Sequence, residues 1–483
     1  MKYTILLLLI LCSLDVSCQS KSGNKSANTS PFIAKPYLQI GTNPSATTLD
    51  ILWQTNNEEA KWMVETKAFD SKKWMTASTP GFKILTASNI VGRRIYMVSL
   101  SDLVTGSEFS YRISRNKKQV FIAIAKAPKS ARQAYRFVTM GDIGAGTVDA
   151  KLIAEQASLA KPDLVVIPGD IVYEHGLISE YDENFWPVYN ADSISHSGAP
   201  LMRSIPFVAV PGNHDTEERN FEKYPDALAY FLFWNQPLNG PVSKEGGPAY
   251  PSLTISDSAR RSFLETAGDR FPTMTNFSFN YGNAHWLMLD ADNYVDWTDA
   301  DLLNWVRKDL KGATASIWKF VIFHHPGFSS SREHFEQQQM RLLSPLFDTA
   351  KVDVVFNGHV HNYQRSFPLS FTPDKKGTLL IGGKDNKTIR GRVVNGKWTL
   401  DKVFDGKMNT NANGVTYIVT GAGGQELYNP EQSNDPDSWQ KFTNKFISTF
   451  HSLSVIDVDG KTFKLRQVDT KGNTIDEFTI TKK

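Results

Sequence analysis

Apolar and polar positions alternate in two different ways along this chain. Over residues 36–126 the apolar side chains recur at every second position in short runs, 48–53, 94–100, 109–113 and 120–124, separated by Gly, Asn, Asp and Ser turns. A period of two belongs to strands with one buried face, and short strands at this spacing predict a small all-β sandwich over 31–128, with Trp53 as its core aromatic. After the connector 126–133 the pattern changes to unbroken apolar runs at 135–140, 164–167, 207–210, 286–289, 320–323, 352–356 and 415–420, with helical segments such as 148–159 between them. Strands apolar on both faces are covered on both faces, which predicts an α/β domain over 133–483. The tail at 453–481 alternates again and should add strands to this domain.

Composition fits a soluble globular protein of two or three folding units: 483 residues, 41% hydrophobic and 21% charged. The net charge of +3 comes from 53 basic and 50 acidic residues well mixed along the chain, which argues against nucleic acid as the main partner. Met1 and Lys2 precede an apolar run at 5–14, too short for a transmembrane helix and of the form of a signal peptide over 1–18. Both cysteines, Cys12 and Cys18, lie in this leader, so the folded body has no internal disulfide. The residues before Cys18 resemble a bacterial lipobox apart from Asp15, so a lipid on Cys18 would attach the protein to a membrane, whereas ordinary cleavage would remove the cysteine. Polar residues 19–30 read as a flexible tether. The expected location is the periplasm or the outer envelope.

The chemistry sits in five clusters that follow five of the apolar runs: Gly141-Asp142-Ile143-Gly144, Gly169-Asp170-Ile171-Val172-Tyr173, Gly212-Asn213-His214-Asp215, His324-His325-Pro326 and Gly358-His359-Val360-His361. In α/β sheets, ligands bind beyond the carboxyl ends of strands. Buried Asp, Asn and His without partners cost a few kcal/mol each, of order 1–3, and shared cations remove that cost. Phosphate esters are attacked in line by hydroxide, and two metal ions about 3.5 Å apart can hold that nucleophile and neutralise the oxygens. Asp170, between the first-run and third-run ligands, is the natural bridge. His359 and His361, two apart in extended backbone, would project their rings on one side with Val360 pointing away. By the same alternation only one of His324 and His325 faces the metals; His324 is favoured, with His325 packing behind it.

These blocks resemble the GDxG, GDxxY, GNHD/E, VxxH and GHxH signature of the purple acid phosphatases, and the resemblance extends over 135–367. It implies a layered α-β-β-α metallophosphoesterase fold behind a fibronectin type III-like domain. It also implies that Asp142, Tyr173 and His361 bind Fe(III), that Asp170 bridges, and that Asn213, His324 and His359 bind a divalent Fe, Zn or Mn ion. Gly144 stands where related phosphoesterases carry a histidine, and Tyr173 supplies the missing donor. His214 matches a residue that contacts the phosphoryl group, and His334 one near the leaving group; Glu333 replaces a histidine of the plant enzymes. The expected activity is hydrolysis of small phosphate monoesters at a binuclear site. Two alternatives stay open: phosphodiesters or nucleotides at the same site, and an inactive surface-binding protein. Aromatics at 224–234 are expected to pack over the domain or to rim the substrate site.

Overall fold

In the computed structural model the chain is described over residues 30–374, 379–382 and 389–483; the leader and nearly all of the tether, with Cys12 and Cys18, lie outside the described residues. The continuous apolar runs divide between two sheets. In the first, Tyr135–Thr139, Leu164–Pro168 and Phe207–Val210 lie parallel, and the tail strands Ser452–Asp459, Thr462–Asp469 and Thr474–Thr481 continue antiparallel from Tyr135–Thr139. In the second, Ala284–Met288, Trp318–Ile322, Val354–Asn357 and Thr416–Thr420 lie parallel, flanked by the antiparallel strands Phe277–Tyr281 and Tyr363–Ser366, with Thr443–Ile447 beyond the latter.

The runs are apolar throughout because both faces are covered. Leu164 and Val166 point between the sheets, where they join Phe137, Val208, Trp286, Phe320, Phe356 and Ile418. Val165 and Ile167 point the other way, against the helix Val148–Leu159. The outer face of the second sheet is covered by the helices Ala300–Gly312 and Ser344–Ala350. The layers are thus helix, sheet, sheet, helix. Thr147 caps the helix Val148–Leu159 by accepting Ala150 N–H at 3.1 Å, which satisfies one of the end groups a helix cannot pair internally.

The amino-terminal strands are not confined to a detached sandwich. Trp62–Ala68, Met75–Thr76, Glu108–Arg115 and Lys118–Lys126 form a four-stranded sheet. Their partners Ala34–Gln39, Leu49–Asn56, Gly81–Leu85 and Arg93–Leu100 run on into the first of the two sheets above, making it ten-stranded, through the parallel pairing of Gln39 with Phe207. Trp53 lies in the core between these two amino-terminal sheets, stacked on Tyr96 at 5.2 Å. Tyr230, Phe231, Phe233 and Trp234 pack into the main core, whereas Tyr224 is half-buried. Among the described residues, no helix is long and apolar enough to cross a membrane.

Candidate metal centre

The carboxyl ends of the parallel strands in both sheets meet at one place. Gly141 N–H donates to Thr420 O at 2.9 Å, so the loops after Tyr135–Thr139 and Thr416–Thr420 are held together where the site forms. There Asp142, Asp170 and His359 adopt φ of 61°, 51° and 68°. Left-handed backbone is disfavoured for residues with a Cβ, so these three are held by their surroundings. Asp142 accepts His359 N–H at 3.0 Å with both oxygens, and Asp170 accepts His214 N–H at 3.0 Å. Glycines allow this crowding: a Cβ on Gly358 would lie 2.7 Å from Asp142 Oδ2, and one on Gly212 would lie 2.2 Å from Asp170 Oδ1. At Gly144 the limit is backbone, since a Cβ would stand 1.9 Å from Ile171 O. Asp215 ties two of the loops by accepting Gly212 N–H at 2.8 Å and Ile171 N–H at 3.1 Å.

The histidine pair departs from the extended arrangement expected for it. His359 sits in a bend, where Val360 N–H donates to Gly358 O at 2.8 Å, because the chain must turn beneath Asp142 to let that carboxylate take the His359 amide. The bend sends the two imidazoles to different donor groups. Asp170, His324 and His359 offer ligand atoms within 4.8 Å of one another, and so do Asp142, Asp170 and His361; Asp170 belongs to both. Asn213 Oδ1 lies 3.2 Å from His324 Nε2, beside the first group. The Tyr173 hydroxyl donates to Asp170 Oδ2 at 3.0 Å or Asp142 Oδ1 at 3.1 Å, and lies 3.3 Å from His361 Nε2, within the second. All seven sequence-predicted ligands therefore converge. His325 belongs to neither group: its ring packs 4.1 Å from that of His359, and its Nδ1 lies 3.6 Å from Asp292.

Three features make this arrangement fit cations. First, each imidazole spends one ring nitrogen on an outer oxygen: His324 Nδ1–H donates to Pro168 O at 2.8 Å, His361 Nδ1–H to Glu426 O at 2.7 Å, and His359 Nε2–H to Gln337 Oε1 at 2.6 Å. The remaining nitrogen then faces inward as a lone pair, as in metal-bound histidines. Second, burial pushes His361 down to about 3 and His359 well below the usual histidine range, so both stay neutral. Third, burial and the Asp170 charge push Asp142 well above the usual carboxylate range. Two buried carboxylates this close repel unless positive charge lies between them. Tyr173, raised by burial and by both aspartates, has the same need before it can ionise.

His214 Nδ1–H donates to Glu174 O at 2.8 Å, which leaves Nε2 4.0 Å from Asp170 Oδ2. The His334 ring lies 4.2 Å from that of His359. Sequence reasoning missed Gln337, the Glu426 carbonyl, and Tyr428, whose ring stacks on His361 at 4.1 Å. It also missed the glycine loop 421–424, where a Cβ on Gly421 would lie 2.7 Å from Asp142 Oδ2. The run of three glycines in four positions after an apolar strand was the signal that could have found it.

Residues 135–363 match the family model of the calcineurin-like phosphoesterases, and this stretch is a domain of that class. The homologues of the chain are purple acid phosphatases. One of them, purple acid phosphatase 15 of Arabidopsis thaliana, is 25% identical over 299 residues, covering 56% of this chain and 49% of the relative. The chain thus spans about half the length of the curated relatives it matches. Among solved structures, a purple acid phosphatase from yellow lupin (Lupinus luteus) seeds superposes with a TM-score of 0.64 at 16% identity, over 92% of this chain and 74% of that one. PhoD superposes with a TM-score of 0.57 at 12% identity, over 94% and 91%. Both share the mixed α/β metallophosphoesterase fold with a β-rich region ahead of it.

Proposed function

We propose that this protein hydrolyses small phosphate monoesters at a binuclear centre of Fe(III) and a divalent Fe, Zn or Mn ion. The observation that carries the reading is the pair of buried donor groups sharing Asp170. Asp142, Tyr173 and His361 form the oxygen-rich side, suited to a hard ferric ion, and Asn213, His324 and His359 form the side suited to the divalent one. When bound, such a pair supplies Lewis-acid charge that neutralises phosphate oxygens and orients the attacking water.

The chain's own groups do the rest. Outer oxygens on His324, His359 and His361 hold the rings in place before substrate arrives. His214, as an imidazolium whose Nδ1–H is held by Glu174 O, presents its Nε2–H to a phosphoryl oxygen. His334, whose ring packs against His359, is the group this reading assigns to protonate the departing alkoxide. Export, with or without a lipid on Cys18, is part of the same proposal and rests on the leader alone.

Tyrosinate on Fe(III) absorbs visible light, so purified metal-loaded protein should be pink or violet, and Tyr173→Phe should bleach or shift the band. A colourless, fully metallated, active enzyme would remove Tyr173 from the ligand set. Asp170→Ala should release both ions, whereas His214→Ala should slow turnover with the metals retained. Faster cleavage of chromogenic diesters than of monoesters would replace the monoester assignment.

A further inference from the structure

We infer that Glu180, which touches neither substrate nor metal ligand side chains, is a positioning residue that aims His214 through the loop 174–177. The inference rests on the phosphoesterase reading above. The loop follows Tyr173 without regular secondary structure, so its amides have no ladder or helix to satisfy them. The Glu180 carboxylate takes three of them: Glu174 N–H, His175 N–H at 3.0 Å and Leu177 N–H at 2.9 Å. Hydrogen bonds from amides to a carboxylate are charge-assisted and among the stronger kinds.

The inner side of this loop is where His214 is fixed. Its Nδ1–H reaches the Glu174 carbonyl at 2.8 Å, and its ring packs 4.5 Å from the Tyr173 ring. The Glu174 carbonyl is part of the loop that Glu180 gathers, so its position depends on that carboxylate. Without it, Glu174 O is free to move, and His214 loses the bond that orients its ring and points Nε2 into the site. The outer side is held separately: His175 lies 3.6 Å from Glu218 and 3.3 Å from the Tyr224 hydroxyl, and Gly176 O accepts Ala229 N–H at 3.0 Å. These contacts keep the loop attached when Glu180 is changed, so its loss should be local.

The test is a double-mutant cycle in metal-loaded protein, read by calorimetric binding of inorganic phosphate as well as by turnover. If Glu180 acts through His214, Glu180→Ala should weaken phosphate binding and lower kcat by roughly tenfold, but by less than about twofold in a His214→Ala background. Bound metal should be unchanged in every variant. Glu180→Gln, which keeps one acceptor oxygen, should fall between wild type and Glu180→Ala and also covers the case in which the alanine variant does not fold. Equal losses in both backgrounds, or metal release on changing Glu180, would overturn the inference. A wild-type protein that binds phosphate but cleaves no monoester would instead refute the proposed function, and the cycle would still be read from phosphate binding.

Discussion

Arg93 and Asp182 join the amino-terminal strands to the helical segment Tyr181–Phe185 beyond the Tyr173 loop, and the two ends of this bridge differ in exposure. Arg93 Nη1 and Nη2 donate to the two oxygens of Asp182 at 2.9 and 2.7 Å, and Nη1 also donates to Gln54 Oε1 at 3.0 Å. The Arg93 side chain is 4% exposed, that of Asp182 29%. Removing Asp182 leaves a guanidinium sealed from water with only an amide for a partner, whereas removing Arg93 leaves a carboxylate that water can reach. Asp182→Ala should therefore cost about 3–5 kcal/mol, the range for breaking a buried pair by deleting one member. Arg93→Met should cost only about 1–3 kcal/mol, the loss of charged hydrogen bonds with partial rehydration. The double variant Arg93→Met/Asp182→Leu should cost about 0–2 kcal/mol, because no charge is left stranded. Urea unfolding followed by tryptophan fluorescence gives these values from the midpoints and slopes. The reasoning fails if Arg93→Met costs more than Asp182→Ala, or if the two losses simply add in the double variant.

Three further outcomes are expected. Gln337→Leu should free the His359 Nε2–H bond and lower metal affinity by about 10–100-fold, measured by chelator competition, with little change in melting temperature of the fully loaded protein. Gly144→Ala should prevent the site from forming, since the added carbon meets the Ile171 carbonyl; soluble protein with normal metal content would show instead that the two loops can part without losing the site. Asp476, despite burial, is held below the usual carboxylate range by Arg365 and Tyr363, so its stabilising effect is full above its unfolded pKa near 3.9 and is lost as pH falls through the lower folded value. Urea midpoints measured from pH 5 down to pH 2 should accordingly fall more steeply for wild type than for Asp476→Asn.

Much of the fold could be read from periodicity, because strands covered on both faces leave unbroken apolar runs. The helix 148–159 and the strands around 164–168 and 207–210 follow from that pattern nearly residue for residue. The division into two sheets could not be read, since Val166 and Phe320 look alike in sequence although they belong to opposite sheets. The joining of the amino-terminal strands to the first sheet rests on a single residue pairing and leaves no periodic trace. At the site, the side chains with chemical character were visible as types after strands. Their supports were not: Pro168 and Glu426 act through carbonyls that any residue would carry, and Gln337 is one of three consecutive glutamines of which only the fold selects one.

The shared ten-stranded sheet has a practical consequence for anyone wishing to prepare the phosphoesterase portion by itself. Cutting the chain within the connector 126–133 would remove the backbone partner of Phe207 and the apolar side chains of Tyr37 and Leu52 that cover the core, although Ala209 would stay bonded to Gln236. Apolar faces bared in this way recruit other chains. The first hundred residues of the folded body thus serve as a selvedge, and a fragment beginning at 133 should clump unless a replacement hem is sewn on.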